Sequence, residues 1–150
     1  MILLSRRGHL ALAAVVDIAI HARPLPIAAK SLAVRLELPP RHLEGLLQSL
    51  VHANILKGVR GPRGGYRLAR ERRRITAGEI VRLVAELEAA DEPELHGASP
   101  IGDRVVRPMI EDVHTNLMRE LDAITIEDLC HRAEEKGLAE PLEVRADFAI

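Results

Sequence analysis

The sequence predicts a mainly α-helical chain with a β-hairpin wing, organised as a winged helix-turn-helix followed by a long C-terminal dimerisation helix. Three observations predict this fold class. Three amphipathic helical stripes precede a glycine-rich hairpin, further helical stripes follow it, and positive charge is concentrated in the first half of the chain. We expect residues 1–87 to form the winged helix-turn-helix domain, 88–100 an acidic flexible loop, 101–137 the dimerisation helices and 138–150 a tail.

Three helices are expected before the hairpin. Apolar residues recur at three- and four-residue steps over residues 5–21, as in an amphipathic helix. Pro24 and Pro26 break the chain, and a shorter stripe follows over 28–36. Because proline is tolerated in a first helical turn, the third helix can begin at the next pair of prolines and extend over 39–53.

The hairpin is expected between residues 55 and 69. Two short extended segments, 55–60 and 66–69, flank Gly61-Pro62-Arg63-Gly64-Gly65, whose glycines supply the backbone freedom that a tight turn needs. Next, Thr76-Ala77-Gly78-Glu79 has the pattern of a capping box, in which the Thr hydroxyl and the Glu carboxylate satisfy reciprocal backbone donors. A fourth helix is therefore predicted to begin there.

Two further helices are expected in the C-terminal half. The first covers about 103–122, with a possible kink at Pro108, and its apolar residues form a seam that needs a partner. The seam residues are Val106, Ile110, Val113, Leu117 and Leu121. Thr125 gives a second capping signal for a last helix that ends at Gly137.

Composition narrows the function classes. Residues 1–76 hold 14 of the 21 Lys and Arg but only four of the 22 Asp and Glu, which is typical of a polyanion-binding module joined to an acidic segment. No apolar run is long enough for a membrane span, and the N-terminus does not have the pattern of a secretory signal, so a cytoplasmic location is expected. Motifs for phosphate-cradling loops, metalloprotease helices and nucleophile elbows are missing, so we do not expect an enzyme.

The third helix carries the candidate base-reading residues. In a winged helix-turn-helix this helix enters the major groove of DNA, and side chains near its N-terminus reach base edges. The exposed candidates for DNA contact are Arg41, His42, Glu44 and Gln48, and the first three, nearest the N-terminus, are the base-reading candidates. Phosphates repel a carboxylate, so a carboxylate at this position is favourable mainly if it accepts a hydrogen bond from a cytosine amino group. Glu44 is therefore interpreted as a residue that discriminates between base pairs. The alternative is a solvated helix charge or a helix-pair partner of Gln48.

The wing carries the candidate minor-groove contacts. Its cations are Lys57, Arg60, Arg63 and Arg67. A narrow ribbon with arginine at its tip suits a minor groove, where the potential is most negative, and Arg60 lies just before the turn. Arg6 and Arg7, at the start of the first helix, are predicted phosphate contacts.

The segments Ser5–Leu12, Arg41–Leu47 and above all Val59–Leu68 resemble the Rrf2 family of bacterial transcription regulators, the IscR-like iron–sulfur cluster regulators. The resemblance covers roughly residues 3–136. It implies a homodimer that binds a palindromic promoter site in double-stranded DNA, with the helix at 103–122 crossing its twin. It also implies that Glu44 discriminates sequence and that Arg60 enters the minor groove.

The chain departs from this family in its cysteines. Cluster-binding members place three cysteines in and just after the loop that here covers 88–107, whereas this chain has none there. The loop offers Asp91, Glu92, Glu94 and His96, which suit an iron–sulfur cluster poorly because thiolate is the usual ligand of iron. We therefore predict no metal site and no cofactor, with an unconventional cluster left open. Cys130, the single cysteine, is either a buried small apolar residue or a redox or ligand-binding group.

Two functional hypotheses remain at this point. The first is a dimeric, sequence-specific repressor or dual regulator of iron–sulfur, cysteine or redox-stress genes, and it is motivated by the charge distribution and the wing. The second is a winged-helix module that binds another protein and not DNA. The sensed signal, the operator sequence and the direction of regulation do not follow from the sequence.

Overall fold

The computed structural model describes residues 4–91 and 99–139. Within these ranges, three α-helices come first, then a two-stranded antiparallel hairpin, then three more α-helices. The helices are α1 (Arg6–His21), α2 (Ala29–Arg35), α3 (Pro40–His52), α4 (Ala77–Asp91), α5 (Arg107–Asp122) and α6 (Ile126–Glu135), and the strands are β1 (Leu56–Val59) and β2 (Gly65–Leu68). The predicted fold class, a helical chain with a hairpin wing, is confirmed.

Helix α1 is the centre of the core. It contacts α2, α4, α6 and β2, and small residues such as Ala11 and Ala14, both fully buried, let these neighbours approach closely. The apolar stripe predicted for α3 faces inward, as does part of the α4 stripe. The buried members are Leu43, Leu46, Leu47 and Leu50 in α3, and Ile80 and Val84 in α4.

The helix ends follow the local signals in the sequence. The Thr76 backbone N–H donates to Glu79 Oε2, and the Glu79 N–H donates to Thr76 Oγ1, each at 3.2 Å, so the predicted capping box is formed. Thr125 and Asp128 form a second capping box at the start of α6. Asn54 has a φ of 57°, the left-handed conformation that ends α3.

The helices around the predicted loop differ from expectation. Helix α4 continues to Asp91, so residues 88–91 are helical and not part of the loop. Among the residues described after the gap, helical backbone is present from Pro100 and includes a π-helical segment, Gly102–Val106, directly before α5. Pro108, where a kink was predicted, lies in the first turn of α5, directly after this π-helical segment, and has no N–H to donate to the carbonyl four residues earlier. The rest of the predicted loop, 92–98, lies outside the described residues, as does 140–150 of the predicted tail.

Helix α6 packs on the first half of the chain. The Ile126 N–H donates to the Ile75 carbonyl at 2.9 Å, and the Ala77 N–H donates to the Ile124 carbonyl at 2.8 Å. Ile126 and Cys130 join the core, and α6 contacts α1. Helix α6, predicted as one of the dimerisation helices, thus also packs on the core of its own chain.

Candidate nucleic-acid interface

Helix α3 presents a polar face opposite its leucines. The leucine stripe fixes the rotation of the helix about its axis, so Arg41, His42, Glu44 and Gln48 are all exposed, as predicted from their spacing. The helix begins with Pro39 as N-cap and Pro40 in the first turn, and that turn contains no acidic residue. The positive end of the helix dipole is therefore not neutralised by a carboxylate of its own turn.

Glu44 makes no ion pair and no side-chain hydrogen bond with any described residue, and it is exposed. The helix-pair interaction with Gln48, the alternative interpretation of this carboxylate, is thus not formed in the part of the chain that the structure describes. The Glu44 carboxylate oxygens face solvent and can accept a hydrogen bond from an external donor.

The hairpin carries its cations on the exposed side. Lys57 and Arg67 are direct cross-strand partners, and both side chains are exposed. Arg60 and Arg63 are exposed in the connection between the strands, which is closed by a hydrogen bond from the Gly64 N–H to the Gly61 carbonyl at 2.9 Å. All four predicted wing cations therefore lie at the surface of one narrow ribbon.

Close backbone contacts require a glycine at two positions, one within the wing and one where the wing meets the segment before α2. A Cβ on Gly65 would lie 2.2 Å from the Ile27 carbonyl oxygen, and one on Gly64 would lie 2.2 Å from the Val59 carbonyl oxygen. The close approach at Gly65 is needed because Tyr66 and Ile27 exchange two backbone hydrogen bonds, at 2.8 and 2.9 Å. This bridge holds β2 against the segment that leads into α2.

The cations at the start of α1 differ from each other. Arg6 is exposed, whereas Arg7 is half-buried and its Nη1 lies 3.9 Å from Asp91 Oδ2, at the end of α4. Arg7 therefore has a partner within the chain, and Arg6 makes no ion pair with a described residue. Both assignments as phosphate contacts stay predictions.

Sequence reasoning missed two arginine contacts that hold the interface in place. Arg35 of α2 binds Asp17 of α1 through Nε and Nη2 at 2.6 to 3.0 Å, in a half-buried pair. Arg70, just after β2, donates to the Asn54 carbonyl at 3.0 Å and to Glu79 Oε1 at 2.6 Å, which ties the end of α3 to the start of α4. Periodicity carries no signal for such pairs, because it reports burial and not partners.

The N-terminal part of the predicted dimerisation seam is uncovered in the single chain. Val106, Ile110 and Val113 are exposed, Ile110 by 55%, while Leu117 and Leu121 are half-buried against the rest of the protein. Sequence reasoning missed further exposed apolar residues on this stretch, namely Ile101, Val105 and Met109.

Cys130 is fully buried in the core. Burial raises the pKa of its thiol, an effect larger than the opposing attraction of the nearby Arg72 guanidinium. The thiol is therefore protonated at neutral pH, as expected of a buried structural cysteine. Among residues 4–91 and 99–139, no three or more His, Cys, Asp and Glu side chains are arranged to hold a metal ion.

The helices of the described residues include none that combines the length and hydropathy required to cross a bilayer.

Comparison with known proteins decides the family. Residues 4–132 match the model of the Rrf2 family, described as iron-dependent transcriptional regulators. The chain belongs to the Rrf2 family. An HTH-type transcriptional regulator of Synechocystis is 33% identical over 133 residues, which cover 87% of this chain and 88% of that relative.

Solved structures of the Rrf2 family share the fold. T. potens IscR gives a TM-score of 0.72 at 34% identity, covering 94% of this chain and 95% of its own. CymR, the global cysteine regulator of B. subtilis, gives a TM-score of 0.65 at 31% identity, and the match covers 88% of this chain and 98% of CymR. This Rrf2-family chain is accordingly a DNA-binding transcription regulator and not an enzyme.

Iron chemistry fits this Rrf2-family member poorly. A cluster held by thiolates needs several cysteines, whereas the chain has one, and that one is a protonated thiol in the core. Of the weaker candidate ligands Asp91, Glu92, Glu94 and His96, only Asp91 is among the described residues. The cysteine content of this chain therefore does not fit an iron–sulfur cluster held by thiolates.

Proposed function

We propose that this chain acts in the cytoplasm as a homodimer that binds a palindromic promoter site and represses genes of iron–sulfur, cysteine or redox-stress metabolism. The relatives support the choice of genes, since one solved structure is an IscR and another is a global cysteine regulator. The observation that carries the proposal is the combination of an exposed polar face on α3 with a wing whose four cations make no ion pair with described residues.

The proposed docking places α3 in the major groove and the wing in a minor groove. Arg41 and Gln48 can donate to base edges, and Glu44 can accept from a cytosine amino group. Arg60 and Arg63, at the tip of the ribbon, supply the positive charge that a narrow minor groove attracts. Lys57 and Arg67 add contacts to phosphates, which fix the position of the protein without reading sequence.

The proposed dimer uses the apolar face of the stretch 101–113. Six exposed apolar side chains within 13 residues form a patch that a lone soluble chain seldom leaves uncovered. A second copy of the same stretch offers the same apolar surface, so a two-fold interface is self-complementary. Two recognition helices related by that axis match a palindromic site with half-sites about one helical turn, or a multiple of it, apart.

The experiment selects the operator from a random duplex library and then measures Glu44→Ala against it. Loss of a base-reading contact lowers operator affinity by roughly 1 to 3 kcal/mol and relaxes the preference at one base pair. Glu86→Ala, which removes an exposed carboxylate from α4, is the matched control and keeps full affinity. Unchanged operator binding by Glu44→Ala would remove Glu44 from the interface.

Repression is tested separately in cells. A reporter gene behind the selected operator is expected to rise in expression when the regulator gene is deleted, and to fall again when it is supplied on a plasmid. A reporter that falls on deletion would show activation instead.

A further inference from the structure

Glycine inside an α-helix destabilises the fold relative to alanine, so each helical glycine calls for a reason. For Gly78 in α4 the reason lies within the chain, because a Cβ there would lie 1.9 Å from Asp122 Oδ1. Gly45 in α3 has none: a Cβ would meet no atom of the described protein within 4 Å, and its φ is not in the left-handed region. No contact within the described protein therefore accounts for a glycine at position 45.

Gly45 lies on the outermost line of α3. Arg41, Gly45, Gln48 and His52 follow one another at steps of four, three and four residues, so they share the side of the helix that is opposite the buried leucines, and all four are exposed. Between the long side chains of Arg41 and Gln48 the line has a gap of bare backbone. Glu44, with no partner among the described residues, is beside that gap.

We propose that Gly45 is a specificity-determining residue of the DNA interface and acts through the side chain it lacks. The gap admits the major-groove edge of one base pair to the backbone of α3, which a Cβ would hold away. This inference rests on the proposed function, because it requires α3 to lie in the major groove. It adds that the closest contact between protein and base is made at Gly45, between Arg41 and Gln48.

The test is a pair of substitutions, Gly45→Ala and Gly45→Gln, each measured by thermal unfolding and by binding to the selected operator and to a random-sequence duplex. Both residues favour helix more than glycine does, so we expect both variants to unfold at a higher temperature than the parent. Operator affinity is expected to fall by about tenfold for alanine, the size of one mismatched base pair, and further for glutamine. Affinity for the random duplex is expected to change by less than about twofold, since phosphate contacts carry it.

Ser49→Ala is the matched control. Ser49 is half-buried and its Oγ donates to the Gly45 carbonyl at 3.0 Å, so its removal alters the same turn of α3 without adding an atom to the exposed line. We expect this variant to keep operator affinity. If Ser49→Ala loses as much operator affinity as Gly45→Ala does, the loss comes from a change in this turn of α3, and the proposal is overturned.

The remaining outcomes separate this inference from the proposed function. If Gly45→Ala binds the operator within twofold of the parent while Glu44→Ala does not, the gap is irrelevant and only the inference fails. If Gly45→Ala weakens operator and random duplex equally, its effect is not on specificity and the inference fails again. If the parent selects no sequence at all, both fail together.

Discussion

Lys57 and Arg67 lie directly opposite each other across the hairpin, on strands β1 and β2, with both side chains exposed. Like charges at directly opposite positions destabilise an antiparallel pair. Neither side chain forms an ion pair with a described residue that would offset this repulsion. The pair is therefore a cost to the fold that a polyanion bound to the ribbon would remove.

Arg67→Thr is expected to stabilise the protein and weaken DNA binding. Removing the repulsion raises the free energy of unfolding by roughly 0.2 to 1 kcal/mol. Losing one phosphate contact lowers the affinity for all duplexes alike and reduces the slope of log K against log salt by about one unit. Thermal unfolding and salt-dependent fluorescence anisotropy measure the two effects, and a variant that binds as the parent does would place Arg67 outside the interface.

Gly65→Ala is expected to detach the wing. The new Cβ would collide with the Ile27 carbonyl, so the two hydrogen bonds between Tyr66 and Ile27 cannot both survive. We expect the free energy of unfolding to fall by more than about 1 kcal/mol. Gly58→Ala, on the partner strand, meets no atom within 4 Å and is the control that leaves folding intact. Equal stability of the two variants in chemical denaturation would contradict the bridge at Ile27.

Ile110→Glu is expected to break the proposed dimer. A carboxylate placed in an apolar interface without a partner opposes association, and its copy on the second chain repels it. Analytical ultracentrifugation should show a monomer, and operator affinity should drop by about a hundredfold or more because two half-sites are no longer bound together. Thr115→Glu, exposed on the other side of α5, is the matched control and should stay dimeric. A dimeric Ile110→Glu would place the interface elsewhere.

The Cys130 thiol is expected to be unreactive in the folded protein. Since burial raises its pKa, the folded state keeps the proton more tightly than the unfolded state does. Its contribution to stability is fully present below the pKa of the unfolded thiol and is lost as the pH rises toward the folded value. Iodoacetamide at pH 8 should label native protein slowly and denatured protein at the rate of a free cysteine. Rapid labelling of the native protein would show an exposed thiolate.

Much of the fold could be predicted because its signals are local. The α3 stripe, the capping box at Thr76 and the turn at Asn54 each depend on residues within a few positions of one another. The attachment of α6 could not be predicted, since the backbone bonds that join Ile126 to Ile75 link segments far apart in the chain.

In the candidate site, too, the features that depend on neighbouring residues could be predicted, whereas those that depend on distant contacts could not. Exposure of Arg41, Glu44 and Arg60 follows from helical period and turn chemistry, whereas the partner of Arg7 lies on another helix. The sequence also could not show whether the fold requires a glycine at position 45, because that depends on what a Cβ would meet there.

The most direct measurement is the affinity of the parent protein for its selected operator and for a random duplex, each over a range of salt concentrations. We expect tight, salt-sensitive binding to both, with the operator bound at least about a thousandfold more tightly at physiological salt. No preference for the operator, together with affinity that barely changes with salt, would contradict DNA recognition through α3 and the wing and would favour a protein-binding module.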